Sequence, residues 1–260
     1  MIAQIDNVLW HKTNALVRNG LARLGSSSPY IVVTEYPKSG GTWISMMLSD
    51  ALAIPFPRNR LPMLKSCILH DHLFNPFNIH NVLAVTRDGR DILVSQYFHS
   101  LFENGSGNEA LVRRTRKKLN FRNYDDLESN LPAFIEYTYS DGSRKKHNWN
   151  TFNDRWTETP RAVRAKYEDF LLRPVSELQR VSFELSGETL SEDNADAIVK
   201  KYSFSSLSGR KSGEENKRSF LRKGISGDWK NYFTPTAKEV FKDYAGATLI
   251  KLGYESDNAW

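Results

Sequence analysis

Cysteine is nearly absent. Cys67 stands alone among 260 residues, so no intrachain disulfide and no cysteine-built zinc site can form. A reducing compartment, the cytoplasm, is the expected location. Long apolar runs are missing too: no stretch approaches the ~18 consecutive apolar residues of a membrane span. At the N-terminus, Trp10-His11-Lys12-Thr13-Asn14 interrupts any apolar run before a signal peptide could develop. Neither a transmembrane segment nor a type II anchor is expected. No solenoid-type repeat and no linker between separate domains is visible. What is present is ordinary globular material. Hydrophobic residues make up 40% and charged residues 25%, enough apolar surface for a sizeable core and too much for wholesale disorder. The net charge of +6 calls for an anionic partner, and phosphate-bearing small molecules meet that as well as nucleic acid does.

The chain alternates strands and helices. Residues 1–28 have an imperfect helical spacing of apolar positions, from Ile2 to Leu24, ending at Gly25-Ser26-Ser27-Ser28-Pro29. A helix packed on the domain is expected there, with a membrane-surface helix as the alternative. Tyr30–Thr34 is a continuous β-branched run of the kind found in buried parallel strands. It leads through a glycine-bearing loop into an apolar helical stretch, Trp43 to Leu52. Asn81–Thr86 repeats the plan, with a helix from about Asp91 to Phe102. Residues 105–130 are polar and basic and are expected to be a mobile insertion. Leu131–Tyr139 and Trp149–Trp156 suggest helices, Ala162–Tyr167 a third core strand, and Thr236–Leu252 a closing helix. Further helices are expected after Pro174 and around Asp193–Lys200, and a flexible polar loop over Ser205–Ser219. The expected fold is α/β, a single domain over 29–260 with a parallel sheet flanked by helices.

The segment Tyr36-Pro37-Lys38-Ser39-Gly40-Gly41-Thr42-Trp43 carries most of the functional signal. A glycine turn from a strand into a helix aims successive backbone N–H groups at one spot, at the positive end of a helix dipole, and so suits phosphate or sulfate. Lys38 adds a charge; Ser39 and Thr42 add hydroxyls. The order is not that of the nucleotide-binding loop G-x-x-x-x-G-K-[ST], because this lysine precedes the glycines. Arg87 at a strand end and Ser95 eight residues on suit a second phosphate. So do Arg222 and Lys223, followed by Gly224 and Gly227, which let backbone approach a ligand closely. Trp43 and Phe204 are candidates to stack on a nucleobase.

These motifs together resemble the cytosolic-type sulfotransferases, which use 3′-phosphoadenosine 5′-phosphosulfate (PAPS). Tyr36–Trp43 is similar to their 5′-phosphosulfate loop, Arg87–Ser95 to their 3′-phosphate motif, and Arg222-Lys223-Gly224 to their C-terminal cofactor loop. The resemblance implies a P-loop-like strand-loop-helix and a residue-by-residue assignment. Lys38 would meet the bridging oxygen and sulfonate, with Ser39, Gly40, Gly41 and Thr42 on the 5′-phosphate. Arg87, Ser95, Arg222, Lys223 and Gly224 would hold the 3′-phosphate, and Trp43, Tyr167 and Phe204 would surround adenine. Gly41 stands where many members have threonine, which eases backbone approach. Leu69-His70-Asp71-His72-Leu73 occupies the place of the family's lysine-threonine-histidine run, which puts His72 at the general base and His70 where lysine is expected. A short motif from Lys230 to Glu239 resembles the family's dimer motif, with Pro235 where valine is usual, and implies a homodimer.

Fixed cations meet the electrostatic demand of sulfuryl transfer, so no metal is expected. His70-x-His72 has a spacing suited to zinc, but the sequence offers no evident third ligand. Gly105–Ala110 matches a dinucleotide-loop pattern yet follows a helix rather than a strand, so that reading fails on context. His99 reads as packing or polar surface, and the Arg113–Lys118 cluster as a solvated face or an acceptor-side lid. A P-loop kinase and a non-enzymatic nucleic-acid-binding module remain the competing classes. No nucleic acid is expected as partner. The acceptor, a glycan or glycolipid hydroxyl, a small phenol or a natural-product amine, is left open because loops around 55–80, 101–156 and 205–219 would shape its pocket.

Overall fold

The structure is a computed structural model that describes residues 13–58, 60–62 and 65–260. Residues 1–12 of the expected N-terminal helix lie outside the described residues; 13–21 are helical (α1). The chain forms two compact units, Met1–Thr86 with Arg155–Ser203, and Arg87–Asp154 with Phe204–Trp260.

The first unit holds a four-stranded sheet of order β2-β1-β3-β4, with β1 (Ile31–Glu35), β2 (Ile68–Asp71), β3 (Val82–Thr86) and β4 (Val163–Lys166). All three pairings are parallel. β1 is buried along its whole length and β3 over all but its last residue, as their unbroken apolar runs require. Helices α2 (Gly41–Ala51), α7 (Tyr167–Leu172), α8 (Pro174–Ser186) and α9 (Glu192–Lys201) belong to this unit. Val33, Ile44, Met47, Leu48, Leu83, Val85, Phe170 and Leu178 share one apolar cluster, each burial worth about 1.5–3 kcal/mol. The connections leave β1 towards β2 on one side and β3 towards β4 on the other. The carboxyl ends of β1 and β3 therefore form the topological switch point, where such sheets bind ligands.

One element was hidden in the sequence. Ile68–Asp71, inside a stretch read as variable loop, is the edge strand β2, and Val33 pairs with His70 in its register. Cys67, Ile68 and Leu69 are fully buried, but so short an apolar run has no periodicity of its own to announce a strand.

The second unit is helical, with α3 (Gly89–Leu101), α4 (Glu109–Lys118), α5 (Leu127–Ser140), the start of α6 (Trp149–Thr157), α10 (Phe204–Ser208) and α11 (Pro235–Lys251). Its core is aromatic. Tyr97 meets Phe134 edge-on at 5.1 Å, and Tyr139 stacks on Tyr244 at 5.0 Å. Gly89 has to be glycine, since a Cβ there would lie 2.9 Å from the Trp149 ring. The expected mobile insertion at 105–130 is instead built structure. Val112 and Thr115 of α4 are buried, while Arg113, Arg114, Lys117 and Lys118 face solvent. Arg116 donates from Nε and Nη2 to the Leu101 carbonyl at 2.8 and 2.6 Å. The density of charge concealed a helical period with only two inward positions. His99 is half-buried and accepts at Nδ1 from the Asn104 side-chain amide at 2.9 Å. Within Ser205–Ser219, α10 is followed by a loop that pairs back on the C-terminal motif: Gly213 N–H and Asn216 N–H donate to the Lys223 and Arg222 carbonyls, each at 2.9 Å.

Candidate active site

Beyond β1 the chain turns sharply through Tyr36–Gly40. Lys38 (φ 80°) and Gly40 (φ 93°) both adopt left-handed backbone; the first is unusual for a side-chain-bearing residue and marks a constrained turn. Ser39 closes that turn, its hydroxyl donating to the Tyr36 carbonyl at 2.7 Å, so its proton is committed to the loop itself. Gly40 caps α2 without any side-chain hydrogen bond, and the first intrahelical bond runs from Ile44 N–H to the Gly40 carbonyl. The N–H groups of Thr42 and Trp43 thus have no intrahelical acceptor and stand at the positive end of the helix. That arrangement fits a phosphate or sulfonate group. A Cβ on Gly40 would lie 2.6 Å from the Tyr167 ring. Trp43 meets Tyr167 edge-on at 5.7 Å and donates from Nε1 to the Tyr202 carbonyl at 2.7 Å. Trp43 and Tyr167 are therefore brought together beside the loop.

The last residue of β1 is Glu35, which sequence reasoning passed over. It is buried. Its Oε2 accepts from Gly41 N–H at 2.5 Å, its Oε1 lies 3.1 Å from His70 Nε2, and its backbone carbonyl lies 3.0 Å from His72 Nδ1. A carbonyl oxygen only accepts, so His72 Nδ1 carries the proton and Nε2 is left with its lone pair. Burial pushes the Glu35 carboxyl up, but the hydrogen bond from His70, the Coulombic pull of the two imidazoles while they are protonated and the Gly41 N–H outweigh it and hold it below the ordinary carboxylate range. For His72 burial wins: desolvation lowers its pKa despite the opposing pull of Glu35, so the imidazole is neutral at pH 7. His72 nevertheless keeps an exposed surface. That surface lines an open cleft of about 390 Å³ with Ala15, Leu16, Asn19, Asp71 and Leu73. Asp71 is held by Arg18 Nε at 3.4 Å, and the Leu73 carbonyl accepts from Trp156 Nε1 at 2.7 Å.

Glu35, His70 and His72 each bring one ligand-capable atom within 4.8 Å of the others. This supplies the third donor that the sequence did not reveal, and a two-histidine, one-glutamate set has the chemistry of a zinc site. Both carboxylate oxygens are already engaged, however, and the arrangement as built is a chain of hydrogen bonds. Gly41 has its own reason here. A Cβ on it would lie 2.7 Å from Glu35 Cδ and 2.8 Å from His70 Nε2. The glycine makes room for a buried pair.

The second unit collects the other cations. Arg87 Nη2 reaches the Ile225 carbonyl at 3.4 Å and lies 3.8 Å from Asp91 Oδ2. Its own carbonyl accepts from Trp149 Nε1 at 3.1 Å. Asp91, which burial pushes up, accepts from Gly227 N–H at 2.7 Å and Trp229 N–H at 3.0 Å. It thereby ties the C-terminal loop to α3. Ser95, half-buried, follows Asp91 by one helical turn. Arg222 pairs with Glu215 and, through Nη2, with Asp228 Oδ2 at 2.5 Å, while Lys223 Nζ meets Asp228 Oδ1 at 2.6 Å. Burial raises the Asp228 carboxyl, and the two cations more than reverse that, leaving it below its ordinary range. Gly224 (φ 68°) lies directly against the Phe204 ring.

Residues 77–253 match the family described as Sulfotransferase domain. The chain belongs to the sulfotransferase family. Mouse Sulfotransferase 1B1 is 27% identical over 268 residues, covering 84% of each chain. Rat Sulfotransferase 1A1 is 24% identical, covering 86% of each. Among solved structures, mouse sulfotransferase SULT7A1 complexed with PAP superposes with a TM-score of 0.66 at 17% identity, over 92% of this chain and 91% of that one. Fold class and family thus agree with the sequence reading.

In this sulfotransferase Lys38, Ser39, Gly40, Gly41, Thr42, Trp43 and Tyr167 gather in the first unit together with His70 and His72. Arg87, Ser95, Phe204, Arg222, Lys223 and Gly224 fall in the second. The sequence reading gave no role to Glu35 and no pairing role to Asp91 or Asp228. A signal for each was available: a lone carboxylate ending an apolar strand, or following a cationic motif by a few residues, has to be paired when buried.

Proposed function

We propose that the protein transfers the sulfuryl group of PAPS to a hydroxyl or amine of an acceptor held at the cleft beside His72. The observation that carries this reading is the His72 ring, with Nδ1–H on the Glu35 carbonyl and its other nitrogen left as a neutral base at the wall of a cleft. PAPS, when bound, supplies an activated sulfuryl group on a phosphate leaving group. The orphan N–H groups at the start of α2 are suited to its 5′-phosphosulfate. Arg87, Ser95, Arg222, Lys223 and Gly224 are assigned to its 3′-phosphate, and Trp43, Tyr167 and Phe204 to adenine.

Sulfuryl transfer, like phosphoryl transfer, passes through a loose transition state, so positioning and charge do most of the work. Lys38 neutralises charge growing on the leaving oxygen. His72 Nε2 takes the acceptor proton as the new bond forms, a contribution of about 10²–10⁴-fold. A phosphate dianion meeting Arg222 and Lys223 has to compete with Asp228 and Glu215, which hold those cations now. The cleft combines apolar Ala15, Leu16 and Leu73 with polar Asn19, Asp71 and His72. That lining favours an uncharged or amine-bearing acceptor with an apolar body over an anionic glycan. The Lys230–Glu239 segment is assigned to dimer contact. Within it Thr234 caps α11 through the Ala237 N–H, and Pro235 occupies the first helical turn, where its missing donor costs nothing.

The test is a thermal-shift series followed by an acceptor screen with mass-detected donor. Stabilisation by 3′-phosphoadenosine 5′-phosphate, but not by ATP with magnesium or by oligonucleotide, supports the reading. The reverse order would replace it with the kinase or nucleic-acid class.

A further inference from the structure

Three atoms of one residue meet three different parts of the reaction centre. Glu35 Oε2 binds the first turn of α2 through Gly41 N–H at 2.5 Å. Oε1 meets His70 Nε2 at 3.1 Å, and the backbone carbonyl meets His72 Nδ1 at 3.0 Å. We propose that Glu35 is the positioning residue of this sulfotransferase: it fixes the tautomers of both histidines and sets the base against the loop that holds the sulfuryl donor. The inference rests on the assignment of His72 as base, and it adds a residue that touches neither donor nor acceptor.

The physical case has three parts. First, an ionised carboxylate only accepts, so His70 presents Nε2–H to it, while the carbonyl demands Nδ1–H of His72. The two rings, 5.6 Å apart and edge-on, are thus held in opposite tautomers by one residue, and only His72 keeps Nε2 as a lone pair. Second, Glu35 is buried with both oxygens engaged, and a carboxylate so placed is costly to leave without its partners. The pair with His70 is therefore a fixed distance, not a fluctuating surface contact. Third, the glycine at position 41 has room for no Cβ because Glu35 and His70 occupy that space. Loop, carboxylate and histidine are built as one unit. Reacting groups misplaced by ~1 Å can lose ~10²-fold in rate, and a side chain joining the donor loop to the base governs that placement.

The test uses the full chain and three readouts. In the wild-type protein, long-range ¹H–¹⁵N spectra of the histidine rings should show His72 protonated at Nδ1 and His70 at Nε2. In Glu35→Gln an amide NH₂ can face His70, and the His70 signature should change to the Nδ1–H form. There kcat should fall by about tenfold to a hundredfold, with KM for PAPS and the affinity for 3′-phosphoadenosine 5′-phosphate within about twofold of wild type. Glu35→Asp, which keeps the charge but shortens the reach, should recover part of kcat. Wild-type kcat in Glu35→Gln would overturn the inference. So would equal loss of kcat and cofactor affinity, the mark of a merely structural role, or chelator-treated enzyme regaining activity only with zinc, the mark of a metal site. His72→Ala separates this inference from the reading beneath it. If His72→Ala is fully active, the base assignment fails; if it is dead while Glu35→Gln is normal, only the positioning role fails.

Discussion

Gly41→Ala sets two rules of physical chemistry against each other. Gly41 is the first residue of α2 and has no left-handed backbone to preserve. By helix propensity alone alanine should stabilise, by up to ~1 kcal/mol. Packing argues the other way. The new Cβ would lie 2.7 Å from Glu35 Cδ, 2.8 Å from His70 Nε2 and 3.0 Å from Glu35 Cγ, against the ~3.5–4.0 Å of ordinary contact. The pair has to withdraw by roughly 1 Å, and neither group has open space, since Glu35 is buried and bonded on both oxygens. Losing one charged hydrogen bond costs about 1.5–3 kcal/mol, so a net loss of about 1–2 kcal/mol is expected after the propensity gain. For a chain of this size that lowers Tm by about 2–8 °C. Urea unfolding of Gly41→Ala, Glu35→Ala and the double variant measures it. In the Glu35→Ala background the same glycine change should cost nothing or stabilise, giving a coupling of at least ~1 kcal/mol. Gly41→Ala as stable as wild type, with additive effects in the cycle, would refute the argument that the glycine exists for the Glu35–His70 pair.

His72→Ala should lower turnover by about 10²–10⁴-fold while leaving calorimetric affinity for 3′-phosphoadenosine 5′-phosphate nearly intact; His70→Ala should reduce turnover only in part. Because desolvation holds His72 below the ordinary imidazole range, the acid limb of kcat/KM should fall below pH ~6.5, and a limb above that value would contradict the burial argument. Arg222→Ala and Lys223→Ala should each weaken the 3′-phosphorylated nucleotide by about tenfold or more and an analogue lacking that phosphate far less; equal losses would assign both residues to the fold. Asp228 is depressed by Lys223 and Arg222 against the effect of burial, so its contribution to stability is present above the unfolded carboxylate pKa and lost as pH falls through the folded one. Asp228→Asn should therefore flatten the acid side of a stability-versus-pH curve measured by urea unfolding, and an unchanged acid slope would show that the pair contributes nothing.

Much of this protein was legible in the chain itself. The β-branched runs that became β1 and β3 announce themselves because a strand buried on both faces has to be continuously apolar. The loop from Tyr36 to Trp43 is equally visible, since a glycine turn between strand and helix has few other uses. Tertiary structure alone decided the rest. The strand β2 exists because β1 offers an edge at its register, not because Ile68–Asp71 insists on being extended. The helix α4 looked like loose charge until Val112 and Thr115 were buried. Glu35 gained its meaning only when parallel pairing of β1 with β2 brought His70, thirty-five residues away, within 3.1 Å of its carboxylate. Periodicity and motif order are local properties of a sequence, while the pairing of a buried charge is fixed by which distant segment the fold carries to it.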